Sequence, residues 1–203
     1  GTMLGLNVGN FKEFKLPVTT IFLDWNVNTR TAYQQLEVVW TPRFVVQASL
    51  FAWMSAAAHF IILWQWDNYT AGLKKGINRY RWWEYAISSS WMICLIAQLF
   101  GVYDAISLLM ILTINGAMNL FGDVMELRNA GKPADEVDWA PYNYGGIAGI
   151  YSWAVILAFM FGSPGSENAP WFVWAILASY FLMFFTFPYV MWAQYSQRGK
   201  YNN

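Results

Sequence analysis

Charge is what this sequence has least of. Only 12% of its 203 residues are Asp, Glu, Lys or Arg, and the formal net charge is zero. A soluble globular domain carries about a quarter. The even balance leaves no basic surface for nucleic acid. Cysteine is scarce as well. Cys94 is single, so an internal disulfide is excluded, and inside an apolar run a lone cysteine is most often packing. With one histidine, His59, there is no Cys/His metal cluster and no Ser-His-Asp set, and no glycine-rich phosphate loop appears. The chain therefore reads as a non-enzyme. The opening GTMLGLNVGN lacks the basic region, long apolar core and cleavage site of a signal peptide, and reads as the end of an apolar helix over 1–10.

What fills the chain is hydrophobic and aromatic: 57% and 20%, with 13 Trp. Five runs are long enough for a bilayer, which needs about 20 apolar residues: 44–66, 82–103, 105–125, 145–162 and 171–195. The links are short, with turn signals at Val102-Tyr103-Asp104 and Gly162-Ser163-Pro164-Gly165. Unpaired backbone is not tolerated in lipid, so a single membrane domain, an all-α transmembrane helical bundle, is expected.

The leader, 11–43, is different. KLPVTTIFLDW and TAYQQLEVVW are β-branched and aromatic and are separated by the polar link NVNTR, which predicts a hairpin outside the membrane. Lys74, Lys75, Arg79, Arg81, Arg128, Lys132, Arg198 and Lys200 all fall on one side of the spans. The positive-inside rule makes that side, with loops 67–81 and 126–144 and residues 196–203, cytoplasmic. The sequon Asn68-Tyr69-Thr70 then stays unglycosylated.

Ionisable groups inside membrane segments are expensive and tend to be functional. Glu84, Ser88, Trp91 and Leu95 recur at helical spacing, so Glu84 and Ser88 share a face. That face either lines a cavity, or Glu84 sits at the interface and pairs with Arg81. Asn115, Asn119, Gly122 and Glu126 share another face; Glu126 reads as solvated, and Asp123 points elsewhere, toward the interface. His59, one turn after Ser55, is either an interhelical hydrogen bonder or the natural proton acceptor of the chain. Pro188 should kink the last span. Around it stand Tyr180, Phe181, Phe184, Phe185 and Phe187, with Trp153 and Met118 available from adjacent helices. Such a stripe is either core or a clamp for a conjugated cation beside a buried carboxylate.

RWWEYAISSS, INGAMNLFGDVMEL and QYSQRGKY strongly resemble heliorhodopsins, as do LPVTT, AAHF and YGGIAGIYSW. The resemblance runs over nearly the whole chain. It implies a rhodopsin-like seven-helix membrane photoreceptor with a cytoplasmic amino terminus, binding all-trans retinal as a protonated Schiff base. It further implies Glu84 as counterion. Ser88, Asn115, Met118, Gly122, Trp153 and Phe185 would be in or beside the retinal pocket, His59 in a proton-accepting cavity, and Glu126 a cytoplasmic-side carboxylate. A homodimer packed through the leader, a slow photocycle and signalling to an unknown partner are also implied, with a light-gated proton channel as the alternative. Lys12, Lys15, Lys74, Lys75, Lys132 and Lys200 all lie outside the expected spans. The Schiff-base lysine is therefore expected in a seventh helix not present in this chain, and the first helix is expected to be incomplete.

Overall fold

A computed structural model describes residues 14–163, 167 and 171–197. The expected helix end at 1–10, Lys12, Pro164-Gly165, Arg198 and Lys200 lie outside the described residues.

The leader forms an antiparallel hairpin of β1 (Val18–Asn26) and β2 (Thr31–Trp40). The strands pair from Val18↔Trp40 to Asn26↔Thr31, with an irregularity at Val18/Thr19. Asn26 Oδ1 closes the turn by accepting the amides of Asn28 and Thr29, and Arg30 takes the left-handed conformation at φ 52° that reverses the chain. Both faces of the hairpin are largely exposed, including Leu23, Trp25, Leu36 and Val39. It is held at its base: Thr19 N–H donates to Tyr103 O at 2.8 Å, Phe44 N–H donates to Phe14 O at 3.0 Å, and Leu16 and Thr20 are buried.

One cross-strand pair gives the hairpin a pH dependence. The Tyr33 hydroxyl donates to Asp24 Oδ2 at 2.6 Å, and Asp24 Oδ1 accepts the Trp25 amide at 2.7 Å. The tyrosine hydrogen bond and then the amide hold the Asp24 carboxyl below its ordinary value of 3.8, while the carboxylate pushes the phenol above 10.0. Both shifts favour the folded pair between those values. The Asp24 contribution is lost as pH falls below 3.8, and the Tyr33 contribution as pH rises above 10. Tyr33→Phe is expected to return the Asp24 titration toward 3.8, followed by carboxyl chemical shift; an unchanged titration would show that the pair does not form.

The helices are α1 (Phe44–Trp64), α2 (Trp66–Lys74), α3 (Arg79–Leu99), α4 (Ala105–Asn129), α5 (Ala140–Gly162) and α6 (Trp171–Ser196). Each of the five expected apolar segments is helical. Expected loop 67–81 is largely α2, which stops where the Gly76 backbone turns at φ 72°. Expected loop 126–144 is shortened at both ends by α4 and α5, leaving a 3-10 turn at Ala134–Glu136. Residues 100–103, expected as span, form the tight turn instead, and Asp104 caps α4 through its carboxylate and the Ser107 amide at 2.7 Å.

Among the described residues, four helices are long and apolar enough to cross a membrane: α1, α4, α5 and Val173–Ser196 of α6. The second expected span, now α3, falls short of that composition despite a length of roughly 32 Å at 1.5 Å per residue. Its position explains why. It packs between α1 and α4, and Ile93 to Gln98 are buried without a break. Ser88 and Ser90 are buried against these neighbours, whereas Arg79 and Arg81 stand in the first turn of the helix and are partly exposed. By contrast α1 and α6 turn Trp53, Phe60, Leu63, Leu182 and Met183 outward, which suits lipid chains.

Candidate functional site

Small residues let the central helices approach closely, as membrane helices need without a hydrophobic drive between them. Gly116 sits against the Ala86 carbonyl, Gly145 against Phe121 and Gly149 against Met118; a methyl group on Gly149 would lie 2.7 Å from Met118 Sδ. Gly122 takes the Trp82 ring edge.

The serine step on α3 is a hydrogen-bonded seam. Ser89 Oγ donates to Tyr85 O at 2.6 Å, which leaves its oxygen to accept. Asn115 Nδ2 donates to Ser89 Oγ and Ser90 Oγ at 3.0 and 3.1 Å, and Asn119 Nδ2 donates to Ser89 Oγ at 3.0 Å. The interhelical role of Asn115 is thus its observed one. Ser88 is buried on the adjacent strip of α3.

At one end of the bundle lie two carboxylates that sequence spacing read incorrectly. Glu126 is not solvated: it is 4% exposed, its Oε1 pairs with Arg81 and its Oε2 accepts the Asn78 amide at 2.6 Å. Nor does Asp123 lie free at an interface; it is buried and takes Arg79 at 3.2 Å. Burial is tolerated because each charge meets a cation. Arg81 also stacks over Trp82, 4.7 Å from ring centre to guanidinium carbon. These pairs were legible only through tertiary register: the arginines and carboxylates lie at comparable distances along the chain from the Gly101–Tyr103 turn, so the α3–α4 hairpin brings them level. Arg81→Gln would leave a buried carboxylate short of its partner. With Arg81 itself partly exposed, the expected loss is about 2 kcal/mol, below the roughly 3–5 kcal/mol of a fully buried pair. Chemical denaturation in detergent measures it. Arg128→Gln, which breaks a more exposed pair with Asp138, should cost under about 1 kcal/mol.

Since Arg81 is committed to Glu126, Glu84 is left without a cation among the described residues. Its Oε1 accepts the Ser55 hydroxyl at 2.7 Å, a partner on α1 that the sequence reading had noted only as a neighbour of His59. His59 Nδ1 lies 2.7 Å from Ser55 O. A carbonyl only accepts, so Nδ1 carries a hydrogen toward it. Ser55 therefore links Glu84 and His59, one through its side chain and the other through its backbone. Glu84 also lines a cavity of about 610 Å³ between α1 and α3, walled by Met54, Ala58, Ile61, Trp83 and Ile87.

The aromatic cluster forms at the α5–α6 contact. Trp153 is buried, with ring centroids 5.3 Å from Phe181 and 5.6 Å from Phe184; Phe185 lies 4.6 Å from Phe181. Met118 joins through Gly149, which also faces Phe184. The α6 helix continues through Pro188, whose carbonyl accepts the Tyr142 hydroxyl at 3.2 Å. Of the expected pocket residues, Met118, Trp153 and Phe185 gather here, Asn115 belongs to the serine seam, and Gly122 is filled by Trp82. Tyr85 meets Phe187 across the bundle at 6.0 Å, so α3 and α6 approach one another. No cluster of three or more metal-binding side chains occurs among the described residues.

A polar central helix with an unpaired carboxylate, flanked by apolar crossing helices and an aromatic cluster, agrees with what comparison finds. The sequence model of the heliorhodopsin family matches residues 2–203. The chain belongs to the heliorhodopsin family. It is accordingly a multi-pass membrane protein and a rhodopsin of the retinal-photoreceptor type. No curated protein matches it. Within the heliorhodopsin frame, the hairpin and the mostly helical bundle both agree with the expected fold.

Proposed function

We propose that this heliorhodopsin senses light through all-trans retinal held as a protonated Schiff base, with Glu84 as its counterion, and signals rather than pumps. The single observation that carries the reading is the Glu84 carboxylate, partly buried on a cavity wall and in no ion pair among the described residues; Arg79, which lines the same cavity, is paired with Asp123. A buried anion without a partner is costly, and a cationic ligand removes that cost. Retinal, when bound, supplies the absorbing polyene and a positive charge at one end.

The residues of this chain do the rest. Glu84 holds the positive end and keeps its proton in place. Ser55 orients the carboxylate. His59 presents Nε2 as a base on the same network and takes up a released proton. Met118, Trp153 and Phe185 supply flat and polarisable walls, with Ser88, Asn115 and Gly122 bordering them. Glu126 closes the basic side through Arg81. Lys15, Lys74, Lys75 and Lys132 lie outside the crossing helices, so the Schiff-base lysine belongs to a seventh helix beyond these residues. The same basic side is cytoplasmic, and the hairpin is extracellular and pairs two copies into a homodimer.

Illumination of the full-length protein under voltage clamp tests the signalling reading. A brief charge transient is expected. A sustained photocurrent would replace it with a light-gated proton channel. Hydroxylamine in the light should bleach the visible band, since it attacks only a Schiff base; a band that resists would remove the covalent pigment. His59→Ala is expected to keep the band and change the rate of recovery after a flash, and loss of the pigment would make His59 structural.

A further inference from the structure

Three buried polar groups in the bundle have no hydrogen-bond partner among the described residues: Asn115 Oδ1, Ser152 Oγ and Trp153 Nε1. Their residues are 1%, 0% and 3% exposed. Groups this deep are normally hydrogen-bonded, to protein or to ordered water.

The amide of Asn115 is fixed in orientation. Ser89 has already given its hydrogen to Tyr85 O, so toward Asn115 its oxygen can only accept, and the NH2 side of Asn115 must face it. The second N–H is spent on Ser90. Both hydrogens therefore point to α3, and the planar carboxamide turns Oδ1 away from that helix. The register of α4 on α5 says what it turns toward. Met118 packs on Gly149 and Phe121 on Gly145 in antiparallel order. Three residues back along α4 and three forward along α5 from the Met118–Gly149 contact, Asn115 comes level with Ser152. Trp153, the next residue, is buried with its ring against Phe181 and Phe184.

We propose that an internal water is bound at this junction of α3, α4 and α5. It donates to Asn115 Oδ1 and accepts from Ser152 Oγ, leaving capacity for a further donor. A water needs two to four polar partners, and this layer offers an acceptor, Asn115 Oδ1, and a hydroxyl of either sense, Ser152 Oγ. The water ties the serine seam of α3 to α5 through Asn115, joining three helices where direct side-chain bonds reach only two. Asn115 and Trp153 also border the proposed retinal pocket, so the inference rests beside that reading, while Ser152 lies outside it and its variants test the water without reading the pigment.

Two measurements on the full-length protein in detergent decide it. A structure at a resolution that shows waters should contain a peak within hydrogen-bonding distance of Asn115 Oδ1 and Ser152 Oγ. The same two atoms bonded directly, or an empty layer, overturns the proposal. Thermal unfolding of Ser152→Ala reads the sign independently. Deleting a hydroxyl that holds a water lowers the melting temperature, whereas deleting one that holds nothing raises it. A fall is expected, and a rise sinks the site. Should the alanine variant fail to accumulate, Ser152→Thr, which keeps the hydroxyl, should restore the protein while Ser152→Val does not; equal recovery of both overturns the proposal.

Discussion

Glu84→Gln is expected to shift the visible absorption to longer wavelength and to lower, by about 1–3 units, the pH at which the visible band is lost. The glutamine is nearly isosteric and its carbonyl oxygen still accepts the Ser55 hydroxyl, whose bond to Glu84 is 2.7 Å long. Shape and the α1–α3 link are retained while the negative charge goes. An anion beside a buried cation favours the protonated form, so removing it lets the proton leave at lower pH. The anion also holds the positive charge at one end of the polyene before excitation, and without it the charge spreads and the excitation energy falls. The effect should be specific to this carboxylate. Glu126 is already neutralised by Arg81 and by the Asn78 amide, so Glu126→Gln should leave the colour nearly unchanged and act on stability. A spectrum and titration unaltered by Glu84→Gln would dismiss the counterion. Equal spectral shifts from both variants would mean that the field is diffuse and not set by one residue.

The helices and the hairpin were readable because each rests on a local signal. Apolar runs of bilayer length fold as helices whatever surrounds them, and the alternation of β-branched and aromatic residues about NVNTR reads as two strands. Helix α2 carries neither signal: Trp66 to Lys74 is a polar stretch, and its end depends on Gly72 fitting against the Ile77 carbonyl, a contact that no periodicity records. The fate of the charges was hidden for a related reason. Helical spacing tells which residues of one helix share a face, and it correctly set Asn115 beside Asn119, both of which reach Ser89. It is silent on what a second helix places opposite. Glu126 looked solvated because it stands near a helix end, yet the neighbouring helix begins there with Arg81. The same blindness applied to Ser55, which was visible as a neighbour of His59 but not as the partner of Glu84 on another helix.

Gly122→Ala should destabilise the protein by about 2 kcal/mol, even though alanine is the better helix former by up to about 1 kcal/mol. A β-carbon at this position would overlap the six-membered ring of Trp82. The obstacle is a rigid ring, not the free end of a flexible chain, and the ring has little room to retreat. Arg81 stacks on it and is itself tied to the buried Glu126 carboxylate. Overpacking of this kind costs typically 1–3 kcal/mol, and here the displaced ring also disturbs an ion pair. Gly146 provides the control within a neighbouring helix. Nothing lies within 4 Å of a β-carbon there, so Gly146→Ala should be neutral or stabilising by the helix-propensity gain alone. The difference between the two substitutions, measured by denaturation under one condition, isolates the contact from propensity. If Gly122→Ala proved as stable as Gly146→Ala, the α3–α4 approach at Trp82 would be looser than described. Arg81 would then be free to leave Glu126, and Glu84 would no longer be the carboxylate left without a cation.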